Sequence, residues 1–416
     1  MKAKPTLGSH VVLRDLEGAQ KVFLLSSGAN RQELRMGKYS AIPLETLLSC
    51  PYGAILRREA DGGWQRVRHS IEVAEETVEV QENNQHLAQD NSAQSLSPSE
   101  VRDLKQKCSG SEVVEALASN SATFASKTKF AQEKYLKKKA QKHVQQVTLL
   151  RPSVMELCET YYKQSRNKVC GLRYDYLSSL LCQADVRSGA RFLVLDCAAG
   201  LVAGAMAQQL AGLGEIYRLF RGSYPEKGLL ELDLSESEKS CVRAIHLEAL
   251  ESSDPWSSEW LRLPEAPGDA EGEAIAPGRA EARLTRITKR HNDFKSLEAK
   301  AVDGLIVVAE DADLCAEVLE LGLPRLSFGG RVCVFGHHLQ PLAALQGAWR
   351  AGNFVDVRLT QLFTREFQAL PLRTHPFMVA DANLCEGFIL CGSKVGEAEP
   401  QEAAGEDSPT KKQRRS

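Results

Sequence analysis

The 416-residue chain has no uncharged apolar run approaching the roughly 18 residues needed to cross a bilayer, so no membrane helix is expected. Its 11 cysteines are scattered from Cys50 to Cys391 and none forms a Cys-x-x-Cys pair. A disulfide framework and a cysteine-rich zinc site are therefore not expected, whereas free thiols in a reducing compartment, cytosolic or nuclear, are. An excess of one charge is also missing: 52 Lys and Arg against 54 Asp and Glu leave a net charge of −2. This excludes a uniformly basic nucleic-acid coat and an acidic disordered protein, but it does not exclude a local patch. The opening Met1-Lys2-Ala3-Lys4-Pro5 carries no apolar core, so a secretory leader is not expected.

What is present is segmented. Residues 1–80 alternate short apolar runs (Val11-Val12-Leu13, Lys21 to Leu25, Ala54-Ile55-Leu56, Arg66-Val67-Arg68) with glycines, which predicts a small β domain, barrel-like or a sandwich. Residues 81–97 are rich in Gln, Asn and Ser and read as a linker. Ser97-Pro98-Ser99-Glu100 has the signature of a helix start, with an N-cap serine, proline at the first helical position and glutamate three residues after the cap. It opens a helical, Lys-rich connector over 98–150. From 151 to 395 apolar strands alternate with helical segments, which predicts an α/β, doubly wound domain. Residues 262–282, rich in Glu, Ala, Pro and Gly, read as a disordered insertion of that domain, with a basic helix candidate from Arg283 to His291. The tail 396–416 reads as disordered and ends in Lys411-Lys412-Gln413-Arg414-Arg415, a cluster of the nuclear-targeting kind.

Two motifs carry most of the chemistry. In Val194-Leu195-Asp196-Cys197-Ala198-Ala199-Gly200-Leu201-Val202, a strand, an acid, a small-residue turn and a helix form a nucleotide-binding corner. Enzymes that use S-adenosylmethionine carry acid-x-Gly-x-Gly-x-Gly here, because the backbone passes close to the ligand. In this chain the three glycine positions are Ala198, Gly200 and Val202, which points to a degenerate site. The strand Leu305 to Val308 runs into Ala309-Glu310-Asp311, with no Asp-x-Pro for catalysis, and the two acids read as a solvated helix start. The second motif is Lys134, Lys137, Lys138, Lys139 and Lys142 within nine residues, with Tyr135 and Leu136 left to anchor the helix. Like charges at this spacing repel unless a polyanion neutralises them, which favours a phosphate backbone as partner. The His337-His338 pair lacks an acid or third His at ligand spacing, so a cap or surface pair is expected, not a metal site.

Three stretches together resemble the non-catalytic subunit of the eukaryotic tRNA (adenine-58-N1)-methyltransferase: Asn120 to Lys139, Asp196 to Met206 and Gln368 to Pro376. The resemblance covers most of the chain. It implies a β-barrel followed by a Rossmann-like methyltransferase domain, no cofactor in this subunit, and a homologous catalytic partner holding S-adenosylmethionine in a two-plus-two heterotetramer. It also implies tRNA contacts at Lys134, Tyr135, Lys137, Lys138, Lys139, Lys142 and His143, at Asn167, Lys168, Arg173 and Tyr174, and at Arg358, Arg365, Arg373 and His375. Ala140-Gln141 and Cys170-Gly171 depart from the family pattern within these segments. Two other readings of the residues are an active S-adenosylmethionine-dependent RNA methyltransferase and a protein-binding scaffold without RNA contact.

Overall fold

Alternating side chains build both halves of the molecule. The structure, a computed structural model, describes residues 3–27, 33–68, 94–127, 129–222, 227–258, 260–261, 277–370, 373–376 and 385–396. The N-terminal half contains β1 (His10–Asp15), β2 (Gln20–Leu24), β3 (Glu33–Leu34), β4 (Ile42–Pro43), α1 (Leu44–Ser49), β5 (Ile55–Arg58) and β6 (Trp64–Val67). Then come α2 (Pro98–Lys107), α3 (Gly110–Ser119), α4 (Lys129–His143) and β7 (Gln146–Leu150). Five of these strands form an antiparallel sheet in the order β2-β1-β7-β5-β6, beside the small pair β3-β4. The domain boundaries read from the sequence need correction here. Residues 146–150 were assigned to the helical connector, but they form the central strand that joins β1 to β5. Among the described residues β2 and β6 are the sheet edges.

In β1 the period of two divides one strand between two cores. Val11 and Leu13 enter the N-terminal core with Leu56, Val147 and Leu149, while Val12 joins the core of the second domain beside Leu157 and Tyr161. A polar seam reinforces the contact. Glu156 accepts from Arg14 at 2.5 Å and from Gln20 at 2.7 Å, and Thr160 donates to Gln20 at 2.8 Å. The start of α2 follows its sequence signature: the Ser97 hydroxyl and Glu100 carboxylate exchange hydrogen bonds as a capping box. The end of the expected linker is also fixed, by a bridge between Gln94 and Ser121. Residues 69–93 of the N-terminal region and linker, and the tail 397–416, lie outside the described residues.

The second domain begins with α5 (Val154–Gln164), a short 3-10 turn (Arg166–Val169) and α6 (Tyr174–Gln183). It continues with β8 (Arg191–Asp196), α7 (Leu201–Leu210), β9 (Glu215–Phe220), α8 (Lys227–Glu231), α9 (Glu236–Ser240), β10 (Val242–His246) and α10 (Leu247–Glu251). After them come α11 (Pro277–Ala299), β11 (Val302–Val308), α12 (Ala312–Gly322), β12 (Leu326–Gly336), α13 (Leu339–Ala351) and β13 (Phe354–Thr360). The last strands are β14 (Phe367–Leu370), β15 (Arg373–Pro376) and β16 (Phe388–Lys394). Helix α11 corrects the insertion boundary: residues 277–282, assigned to a disordered insertion, are helical, and 262–276 lie outside the described residues.

The seven-stranded sheet has the order β10-β9-β8-β11-β12-β16-β13. Its first five strands run parallel and β16 is antiparallel to both neighbours. Phe192 and Val194 of β8 and Ile306 and Val308 of β11 pack on one face, while Leu193, Leu195, Leu305 and Val307 pack on the other. Burial on both faces explains why these strands read as continuous apolar runs. Gly304 is required because a Cβ there would lie 2.5 Å from the Phe192 ring. The strand order reverses between β8 and β11, so the ends of these strands form the crevice where such sheets bind ligands.

Candidate functional site: a closed cofactor turn and a basic helix

Asp196 ends β8 and is fully buried. Its carboxylate accepts from the Ala198 N–H at 2.8 Å and the Ala203 N–H at 2.9 Å, which ties the turn to the first turn of α7. Burial pushes its pKa up, opposed by the Ala203 N–H, the Arg218 guanidinium and the Ala198 N–H. The turn keeps its tight shape, with Ala199 at φ 57° and Gly200 at φ 82°. Ala199 supports a conformation in which Gly is usual, at a cost of about 1 kcal/mol or more.

The chain itself covers this turn. Cys170, also left-handed at φ 48°, donates its thiol to the Cys197 carbonyl at 3.1 Å. The contact with Cys197 and burial hold that thiol protonated. His337 Nε2 lies 2.6 Å from the Cys170 carbonyl, and its ring packs so closely on Gly171 that a Cβ there would lie 2.4 Å from it. From another side, the Gly228 N–H of α8 donates to the Ala199 carbonyl at 2.9 Å. Val202 is fully buried in the core cluster with Leu201, Ala203 and Met206. These residues do not fit S-adenosylmethionine, because the chain's own side chains and backbone take up the close approaches to the turn that a ligand needs.

The described residues at the neighbouring strand ends are engaged within the chain. β9 ends at Phe220, and the Arg221 that follows pairs with Glu251 at 2.6 Å and with Glu317. After β11, Asp311 caps α12 by accepting from the Asp313 N–H at 2.9 Å, as expected of a solvated helix start. The missing glycines are legible in the sequence, but the packing of His337 on Cys170 and Gly171 is not, because 167 residues separate His337 from Cys170.

Helix α4 has a different character. Leu136, Ala140 and Val144 recur every four residues and pack with Val114 and Leu16. Lys134, Lys138 and Lys142 also recur every four residues, are exposed, and at 100° per residue lie on the opposite side of the helix. Lys137 is exposed beside this row and Lys139 is half-buried on the other flank. Burial lowers the Lys139 pKa, as do Lys142, Lys138 and Lys127. Tyr135 is held inside the protein: its hydroxyl donates to the Leu117 carbonyl at 3.2 Å, and the ammonium groups of Lys127 and Lys139 lie 4.9 and 5.2 Å from its ring centroid. It organises the basic surface, and the hydroxyl it would offer an RNA is already used. His143 is half-buried, and burial together with Lys105, Lys139 and Lys142 lowers its pKa to about 4. It is therefore neutral near pH 7.

The remaining expected contacts belong to the second domain. Asn167 and Lys168 are exposed on the 3-10 turn, next to Arg166, which the sequence analysis did not single out. Arg166 pairs with Glu386 at 3.2 Å and its guanidinium lies 5.4 Å from the Tyr162 ring centroid. Arg173 is mostly covered and forms a two-toothed pair with Asp175 at 2.7 and 2.6 Å, plus a 3.1 Å bond to Thr364. Its structural task is to fasten the start of α6 to the 362–364 segment. Tyr174 is exposed beside it. Arg358 is exposed on the edge strand β13 and pairs with Asp356 at 2.6 Å, and Arg365 is exposed before β14. Arg373 and His375 both lie in β15, paired with Leu370 and Gln368 of β14, and His375 is exposed. The expected contacts thus fall in two places, α4 and the 166–174 surface with the neighbouring C-terminal segments.

Five parallel strands with helices on both faces, and an acid-ended strand turning sharply into a helix, define a Rossmann-like methyltransferase fold. The chain belongs to the Gcd10p family, whose model matches residues 6–272. It is similar to the tRNA (adenine(58)-N(1))-methyltransferase non-catalytic subunit TRM6 of Mus musculus, with 28% identity covering 85% of this chain and 82% of the relative. The subunit of the same name from Schizosaccharomyces pombe is 24% identical, covering 79% of each chain. Among solved structures, tRNA (m1A58) methyltransferase TrmI from Aquifex aeolicus aligns with a TM-score of 0.46 at 11% identity, over 95% of this chain and 100% of that one.

Proposed function

We propose that this chain is the non-catalytic, tRNA-binding subunit of a tRNA (adenine-58-N1)-methyltransferase. It presents tRNA to a homologous catalytic subunit, which holds the S-adenosylmethionine, in a nuclear assembly with two copies of each chain. The observation that carries this reading is the row Lys134-Lys138-Lys142, exposed opposite the apolar seam of α4, in a chain whose cofactor turn is closed. The names of the relatives support the same reading.

The division of labour is physically reasonable. An adenine inside folded tRNA must leave its stack before its ring nitrogen is methylated, which costs a few kcal/mol. Binding energy spread over many phosphates offsets that cost and fixes register without taking part in the chemistry. The α4 lysines supply such contacts, and Asn167, Lys168, Tyr174, Arg365 and His375 offer a second polar surface.

Co-expression with the catalytic chain tests the proposal. Neither chain alone should methylate tRNA at the rate of the pair, and this chain should raise tRNA affinity at least tenfold. Turnover by this chain without a partner would overturn it, as would a catalytic chain that binds and methylates tRNA equally well alone.

A further inference from the structure

A cleft of about 270 Å³ lies where the N-terminal sheet meets the helical layer. Its wall brings together Lys38 and Tyr39 from the β3–β4 connection, Arg58 and Glu59 from the end of β5, Lys105 from α2, and Lys142 and His143 from the end of α4. Four side chains carry permanent positive charge, against Glu59 as the one carboxylate of the lining, and Glu59 also acts on the neighbouring Arg57. Lys38 reaches Glu17 at 3.1 Å in an exposed pair.

The walls are held in place. The Arg58 N–H donates to the Gln145 carbonyl at 3.0 Å and the Ser40 N–H to the Gln145 side-chain oxygen at 2.8 Å. Gly110 lies so close to the α4–β7 junction that a Cβ there would be 2.6 Å from the His143 carbonyl oxygen. Arg58 Nε and His143 Nδ1, both on lining residues, are buried and have no hydrogen-bond partner among the described residues. An unmade buried hydrogen bond is costly, more so for a charged group. Converging cations add their own repulsion, so the cleft is an arrangement that an anion would stabilise.

We infer that this cleft binds a phosphate group, held by the Arg58 guanidinium and the Lys105 and Lys142 ammonium groups, with Lys38 at its mouth and His143 donating to it. Burial and the charges of Asp15 and Glu17 raise the Tyr39 phenol to about 12, so the adjoining wall stays protonated. The chemistry suits free phosphate and the backbone phosphate of an RNA alike. Lys142 ends the exposed row of α4 and also lines the cleft, so a strand following that row arrives here. The RNA source rests on the proposed tRNA-binding role, whereas the phosphate site itself does not.

The test uses the full chain labelled with ¹⁵N-histidine, the His143 signal being assigned with His143→Gln. Inorganic phosphate is titrated at constant ionic strength against chloride, and tRNA in a parallel arm. The His143 signal should move saturably with phosphate but not with chloride, and Lys105→Gln/Lys142→Gln, two exposed changes that spare the fold, should weaken that response at least tenfold. Arg58→Gln should weaken tRNA binding about three- to tenfold and lower its salt slope by about 1. A phosphate response with unchanged tRNA affinity in Arg58→Gln supports the site and assigns it to free phosphate. A saturable phosphate response alongside tRNA binding that ignores Lys134→Gln/Lys137→Gln retains the site while removing the RNA reading of α4. If neither phosphate nor tRNA moves the His143 signal, the cleft holds only water and the inference is wrong.

Discussion

The β8–α7 turn and helix α4 treat their polar groups in opposite ways. At the turn, the Asp196 carboxylate, the Ala199 and Cys197 carbonyls, the Cys170 thiol and the His337 ring all find partners within the chain. Along α4, the lysines of the outer row face solvent and repel one another. A group whose interactions close inside the protein contributes to stability, while like charges kept exposed together cost stability and gain from a partner. The turn, with its polar groups paired inside the chain, is part of the framework, and the unpaired charge lies on the helix, where the proposed role places the RNA.

Substitutions separate the two regions. The largest effect is expected for Asp196→Ala, which orphans the Ala198 and Ala203 N–H groups and removes a carboxylate that the Arg218 charge favours. Loss of about 3 to 5 kcal/mol in denaturant unfolding is the expected result, with tRNA affinity of the still-folded protein unchanged. Replacing Lys134, Lys137, Lys138 and Lys142 by Gln should do the reverse. Unfolding should shift by less than about 1 kcal/mol, while tRNA affinity falls roughly 100-fold in filter binding near 0.15 M salt.

Val202→Gly probes whether the missing glycine alone closes the turn. Because Cys170 and His337 remain in place, calorimetry should detect no S-adenosylmethionine binding, and stability should fall by about 2 kcal/mol from the lost burial and the helical glycine. The smallest effect concerns pH. His143 has a folded-state pKa lowered from 6.5 to about 4, so its stabilising contribution is complete above 6.5 and is lost as pH falls through 4. Melting curves between pH 7 and 4 should show a loss that His143→Gln reduces, modest because the ring is half-exposed.

The parts legible in the sequence are those whose physics is local. Strands β8 and β11 are buried on both faces and read as unbroken apolar runs, and the α2 capping box lies within four residues. β10 is less legible, because only Ile245 of Val242–His246 is fully buried. β7 was missed because its partners in β1 lie more than 130 residues earlier, beyond a long helical excursion. The basic row of α4 is visible as spacing, whereas the hydrogen bonds of Tyr135 to Leu117 and of Arg173 to Asp175 are not, because the fold and not the spacing sets them. The cleft was not legible at all, since its cations come from positions between 38 and 142 that only the fold assembles.

The central claim is that this chain grips RNA through α4 and supplies no chemistry of its own. The most direct measurement is the salt dependence of tRNA binding by the assembled enzyme, comparing wild type with the Lys134/Lys137/Lys138/Lys142→Gln variant and adding single-turnover methylation at saturating tRNA. The account predicts that the variant's slope of log affinity against log salt is shallower by about 3 while the methylation rate at saturation is unchanged. An unchanged slope, or a rate lost with affinity intact, would contradict it.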